Sequence, residues 1–222
     1  MSENRFYAFR LQRRMALGTL VLSAAALGGC AVIGGNAPAI TQYQLPPKPA
    51  PVYKSHTQLL CPSLRVAEPI ADRGYGGTSI HYSNAPYVVE SYAYHQWATA
   101  PASMLQPILI ETLSDAGLFR TVLGPDAPAT SSLQLNTRLI ELDQHIEGKR
   151  SEIHLVIRNS LSNMIQQRQI AAQRFSVIVP SQPDPASGVI ATETAVGKWS
   201  LQLTRWLRHE MRASGLCKTK AP

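Results

Sequence analysis

The sequence predicts an α/β protein of the α+β kind. It is a single domain with a largely antiparallel mixed sheet and two main helices packed on one face, preceded by a signal peptide and a flexible tether. Three observations carry the prediction. Apolar and polar residues alternate with a period of two through much of 133–179, as in strands with one wet face. Two stretches, 102–116 and 189–212, instead repeat apolar residues at helical spacing. An apolar run at 15–27 lies behind a basic cluster and ahead of a Pro- and Gly-rich segment.

The first element is the N-terminal run. Arg10, Arg13 and Arg14 precede 13 residues, Met15 to Leu27, and small residues close the run at Gly28-Gly29-Cys30. This is the layout of a secretory signal, and it is shorter than the roughly 20 apolar residues that span a bilayer. Arg13-Arg14 lacks the downstream pattern of a twin-arginine signal and reads as plain n-region charge. The exit onto cysteine resembles a bacterial lipobox. That resemblance implies cleavage before Cys30, diacylglycerol on its thiol and a fatty acyl chain on its freed amine. Ala31 in place of Asp implies, by the same resemblance, sorting to the periplasmic face of the outer membrane. Two or more chains hold a protein stably where one does so marginally.

The expected division is 1–29 signal peptide, 30–56 lipidated tether, 57–214 domain and 215–222 tail. The tether holds Gly34, Gly35, Pro38, Pro46, Pro47, Pro49 and Pro51, with a short strand at Thr41 to Leu45. In the domain, Leu64 to Ala67 reads as a strand between Pro62 and Pro69. Asp72 to Gly77 is a loop whose glycines match neither GxGxxG nor a P-loop. Thr78 to Tyr82 and Tyr87 to Trp97 form a hairpin across Ser83 to Pro86. Its rings, Tyr82, Tyr87, Tyr92, Tyr94 and Trp97, either pack the core or present a face. Tyr87, Tyr92, Tyr94 and Trp97 are the candidates for a partner or lipid surface.

Leu105, Ile108, Leu109, Thr112, Leu113 and Ala116 mark one helix face; Pro107 sits inside it and Gly117 stops it. Phe119 to Leu123 is a short strand, and a small polar linker follows. Leu133 to Leu139, Ile153 to Arg158 and Arg168 to Val179 make the meander, turning at Gly148-Lys149 and around Asn163. The alternation slips phase at Ile140 and Ala171, where bulges or misplaced strand ends are expected. Ser187 is a candidate N-cap for the last helix, about Val189 to Arg212, with Val196, Trp199, Leu203 and Trp206 or Leu207 on its apolar face. Arg205, Arg208 and Arg212 suit its C-terminal dipole, on a solvated face or against lipid head groups.

Loss of the signal reduces 21 basic and 14 acidic residues to 17 and 13, so the formal charge falls from +7 to +4. No basic run with interleaved aromatics occurs, and no nucleic-acid partner is expected. Two cysteines besides Cys30 remain. In an oxidising compartment Cys61 and Cys217 either bridge the start of the domain to its end or stand as two thiols. GxSxG, HExxH and spaced cysteine pairs are absent. The six histidines are scattered, although His145 and His154 fall near the two ends of one hairpin. Neither catalytic residues nor a metal site is expected, and no cofactor beyond the acyl groups on Cys30.

Taken together, several segments resemble the ABC-type transport auxiliary lipoprotein family, which includes the PqiC-type lipoproteins. They are the lipobox at Cys30, Tyr43-Gln44-Leu45-Pro46, Leu64-Arg65-Val66-Ala67-Glu68-Pro69, Tyr87 to Trp97, and Leu105 to Val122 ending in Gly117-Leu118-Phe119-Arg120-Thr121-Val122. The resemblance implies a non-enzymatic accessory of an intermembrane lipid transport system. Its implied partners are an MCE-domain protein and the associated membrane transporter, with assembly into a homo-oligomeric ring. A periplasmic lipid carrier and an envelope-assembly or cell-wall enzyme activator are the alternatives, since fold alone does not separate them.

Overall fold

The computed structural model describes residues 38–47 and 59–219. In chain order the strands are β1 (Thr41–Tyr43), β2 (Leu59–Leu60), β3 (Leu64–Val66), β4 (Ile70–Ala71), β5 (Ser79–Ser83) and β6 (Glu90–Trp97). Helix α1 (Pro101–Asp115) follows, then β7 (Val122–Leu123), β8 (Leu133–Glu147), β9 (Arg150–Asn163) and β10 (Arg168–Ser181). Helix α2 (Pro185–Ala213) and β11 (Lys218–Thr219) complete the chain, and a 3-10 turn (Arg73–Tyr75) precedes β5.

β8 organises the nine-stranded sheet. Its one edge takes β3, β4 and β5 in parallel, and its other edge takes β9 antiparallel. β10 continues the meander beyond β9. On the far side β6 pairs antiparallel with β5, and β1 adds to β6 in parallel. The sheet is mixed, and its long antiparallel part is the β8–β9–β10 meander. Thr41 to Leu45, expected within the tether, is therefore built into the domain: Tyr43 Oη lies 3.1 Å from His95 Nδ1 and Leu45 is buried.

The meander forms because its alternation is real. Leu133, Leu135, Leu139, Leu155, Ile157, Leu161, Val177 and Val179 all bury on the helix-covered face. Gly148, at φ 61°, supplies the left-handed backbone that the two-residue turn between β8 and β9 needs. At the next turn Asn163 Oδ1 accepts the N–H groups of Ile165 and Gln166, each at 3.0 Å. Both slips in alternation are register irregularities, one between Leu139 and Glu141 and one between Gln169 and Ala171.

Helix α1 buries Leu105, Ile108, Leu109 and Leu113. Pro107 removes the N–H that would reach the Ser103 carbonyl, but both residues lie on the exposed side, where water replaces that bond. Gly117, at φ 60°, ends the helix and turns Leu118 into the core. Helix α2 begins earlier than the apolar pattern suggests, because Pro185 is well suited to its first turn. Its N-cap is Asp184, and Ser187 is the donor: its backbone N–H reaches Asp184 Oδ1 at 2.9 Å.

Val196, Trp199, Leu203, Leu207 and Met211 face the sheet. Burying such a side chain contributes about 1.5–3 kcal/mol, several times a typical difference in helix propensity, so packing holds α2. Arg205 and Arg212 are exposed, but Arg208 is buried among these residues and is not part of the solvated basic face expected of all three. A disulfide joins Cys61 to Cys217, beside the small β2–β11 pair.

Candidate functional site

Cys30 lies outside the described residues. The candidate surfaces of the folded domain are the β5–β6 hairpin and the sheet face turned away from the helices.

The hairpin divides the four aromatic candidates. Tyr87 is fully exposed at the turn with φ 65°, Val88 and Val89 are exposed beside it, and Tyr94 is exposed farther along β6. Tyr92 turns inward instead. Its ring lies 4.6 Å from that of Tyr82, and its hydroxyl donates to Gln144 Oε1 at 3.0 Å. Burial first, then the charges of Tyr82 and Asp184, push the Tyr92 phenol up to about 12. Trp97 is only 3% exposed and belongs to the core, a correction to its expected place on the surface. Alternation along a strand identifies two faces without saying which one is covered. Here Trp97 pairs in register with Tyr43 of β1 and shares the core cluster with Leu45, Met104 and Leu105.

Gln144 fixes the hairpin to the rest of the molecule. It is 1% exposed, and its Nε2 donates to Ser151 Oγ at 2.9 Å and to the Gln182 carbonyl at 2.7 Å. Ser181 Oγ and the Asp184 carbonyl lie at 3.3 Å. One amide therefore joins β6, β8, β9 and the entry to α2. The apolar tip is presented on a braced support.

The open face of the meander has two polar zones. In the first, Arg138, Arg158 and Arg174 stand opposite one another across β8, β9 and β10. They line an open groove of about 670 Å³ with Ile70, Asp72 and Ile140. Asp72 pairs with Arg138 at 2.8 Å. Among the described residues no ion pair is found for Arg158 or Arg174. Like charges directly opposite in a sheet are destabilising, so this row has the character of an anion-facing surface.

In the second zone Tyr75 donates to Asp143 Oδ2 at 2.7 Å. Burial and that bond hold the Tyr75 phenol well above its usual range. Farther along, the rings of His145 and His154 stack at 3.8 Å. Glu141 Oε1 lies 3.5 Å from His145 Nε2 and 3.7 Å from His154 Nδ1, and Glu152 Oε1 lies 2.7 Å from His154 Nε2. The sequence brings the two histidines onto one hairpin. It hides Glu141, because the register irregularity after Leu139 changes which residues share its face.

Ser91 Oγ lies 3.1 Å from His81 Nδ1. Asp143, opposite His81 in register, accepts from Tyr75 through Oδ2, and no hydrogen bond between Asp143 and His81 is found among the described residues. No helix among the described residues is long and apolar enough to cross a membrane.

A family model described as "ABC-type transport auxiliary lipoprotein component" matches residues 43–203. A crystal structure of a Xanthomonas campestris protein matches with a TM-score of 0.69 at 21% identity, covering 79% of this chain and 99% of that one. A second crystal structure, of an uncharacterized protein, matches with a TM-score of 0.57 at 15% identity, covering 78% and 99%. At these identities the two structures establish the fold alone. Comparison with curated proteins returns no match.

Proposed function

Because this chain belongs to the family of ABC-type transport auxiliary lipoprotein components, we propose that it is a non-enzymatic, lipid-anchored docking component of an MCE-type intermembrane lipid transport system. In this reading Cys30 carries diacylglycerol and a fatty acyl chain. The anchor sits in the periplasmic face of the outer membrane, and the domain reaches an MCE-domain protein and its membrane transporter.

The observation that carries the reading is the hairpin tip. Tyr87, Val88 and Val89 form an exposed aromatic and apolar tip, with Tyr94 exposed farther along β6, while Tyr92 and Gln144 hold the hairpin to the rest of the domain. Exposed apolar groups gathered at one rigid place mark an interaction surface. Aromatic residues are the side chains most often enriched in such contacts.

A lipid carrier would need an enclosed apolar chamber. The groove on the open sheet face is polar, and a smaller one of about 300 Å³ beside the start of α2 is open as well. Neither of these two grooves is such a chamber, which supports docking over carriage. Ring assembly remains part of the proposal and is read from native mass spectrometry of the detergent-solubilised protein.

The test places a photo-crosslinking residue at Tyr87 or Tyr94 in cells. The expected result is a covalent adduct containing an MCE-domain protein, reduced by alanine at Val88 and Val89. Labelled palmitate should enter the protein and be lost in Cys30→Ser. Recovery of intact lipoprotein without any such adduct would overturn the docking reading.

A further inference from the structure

We propose that Glu141, His145 and His154 form a binding site for one divalent transition-metal ion, with zinc the best fit. Two imidazole nitrogens and a carboxylate oxygen suit zinc among the common divalent ions. The site adjoins the base of the hairpin turn, where Ser83 pairs in register with His145.

Four features of the geometry support it, and binding requires one imidazole to turn, because the rings stack at 3.8 Å and 14° whereas ligand lone pairs lie in the ring planes and must meet at the ion. First, the three ligand atoms lie within 4.8 Å of one another. Zinc bonds to these atom types run about 2.0–2.2 Å, and a tetrahedral set then has ligand atoms about 3.4 Å apart. The distances from Glu141 Oε1 to the two histidines, 3.5 and 3.7 Å, are close to that spacing.

Second, the same distances are too long for ordinary hydrogen bonds, whose N–H···O separations run about 2.7–3.2 Å. Glu141 thus faces two imidazoles without engaging either one closely. Third, His145 Nε2 is shielded from solvent and has no hydrogen-bond partner. A sealed ring nitrogen with no partner is costly, and coordination would satisfy it together with Glu141.

Fourth, Glu152 holds His154 Nε2 at 2.7 Å. A carboxylate accepts, so Nε2–H donates to Glu152, and Nδ1 is the ring nitrogen that faces Glu141. This carboxylate–histidine arrangement recurs behind metal ligands, where it fixes tautomer and ring orientation. Asp143, opposite His154 in register, accepts from Tyr75 through Oδ2, and its Oδ1 is shielded from solvent without a hydrogen-bond partner. The ion would staple β8 to β9 and keep a fourth position for water or a partner's side chain.

The test uses the mature lipidated protein in detergent, stripped with a chelator, reloaded with zinc and dialysed. Zinc retained per chain is measured by atomic absorption and affinity by calorimetry. Cobalt substitution supplies the visible absorption of a low-coordinate site. The expected result is one ion per chain and strong cobalt absorption. Glu152→Gln should weaken binding roughly tenfold to a hundredfold, as for a group that orients a ligand. Glu141→Gln and His154→Ala should weaken it at least as much. His81→Ala and His95→Ala, outside the cluster, should leave it unchanged. Glu141→Gln is isosteric, so it serves if a histidine variant fails to fold. No zinc retained by the native protein, or uptake undiminished in Glu141→Gln, overturns the site.

Discussion

The Nε1–H of Trp199 donates to Oδ1 of Asn159 at 3.1 Å, which fastens the middle of α2 to the middle of β9. Asn159 Nδ2 donates onward to Thr137 Oγ1 at 2.8 Å, and all three residues are buried. Leaving a buried polar group without its partner costs about 1–3 kcal/mol. Asn159→Ala strands both the indole and the threonine hydroxyl, so it should destabilise by roughly 2–4 kcal/mol. Trp199→Phe should cost less in urea denaturation, since only one bond and some area are lost. Equal costs would show that the chain of bonds is not the source.

Gly188 packs against Gln144. A Cβ there would lie 2.6 Å from Gln144 Oε1, and that amide is braced by Tyr92, Ser151 and Gln182. Alanine gains about 1 kcal/mol of helix propensity over glycine, but overpacking a braced site costs about 1–3 kcal/mol. Gly188→Ala should therefore be net destabilising. A rise in melting temperature would show that Gln144 yields easily.

Asp184 gives α2 a pH-dependent start. Hydrogen bonds from Ser187, side chain first and then backbone, lower the carboxyl below its ordinary value and outweigh its desolvation. A carboxyl lowered in the folded state contributes stability above its unfolded value, about 3.9, and that contribution is lost as pH falls through the lower folded value. Asp184→Asn keeps a capping oxygen and loses the titration. Thermal melts between neutral and strongly acidic pH should fall less steeply for this variant below about pH 4. Asp184→Ala should cost about 1 kcal/mol at neutral pH. Parallel acid profiles for wild type and Asp184→Asn would overturn the assignment.

The arginine row makes an opposite kind of prediction, a gain. Arg158 stands between Arg138 and Arg174. Arg158→Glu converts two repulsive cross-strand pairs to attractive ones and should raise stability by about 0.5 kcal/mol at low ionic strength. Salt should shrink the gain, because exposed pairs are screened. A loss that does not depend on salt would mean that Arg158 acts through packing.

Trp97 and Tyr94 lie three residues apart and should behave differently. Trp97→Ala empties a core position and should cost about 3–5 kcal/mol. Tyr94→Ala should stay within about 0.5 kcal/mol in stability while reducing the crosslinked adduct. Denaturation and crosslinking yields measured on the same two variants separate core from contact surface.

The parts of this fold that were legible in the sequence are those whose packing is periodic. Leu133, Leu135 and Leu139 mark the covered face of β8, and Val196, Trp199 and Leu203 that of α2. Legibility ends where a local irregularity or a distant partner decides. The irregularity after Leu139 moves Glu141 out of simple alternation, so its meeting with His145 and His154 needs the register. β3 and β7 fall within the strands expected at Leu64 to Ala67 and Phe119 to Leu123, whereas β4 is two residues long and exists because β8 offers an edge, which periodicity cannot encode. β1 is similar: Thr41 to Tyr43 is recognisable as extended, but not as the partner of His95 to Trp97. Arg208 reads as a surface charge by composition and is buried. The exposed rings of the hairpin were within reach of the sequence, but their separation from Trp97 was not.

The three-residue β1 has a mechanical consequence. Among the described residues, force entering from the N-terminal side of the domain meets this short, parallel edge strand first. Peeling it would pay out slack up to Cys61. There the covalent link to Cys217, 156 positions away, takes the strain and passes it to the end of the chain. Tension could thus lengthen the molecule by a fixed increment while the meander and both helices stay intact.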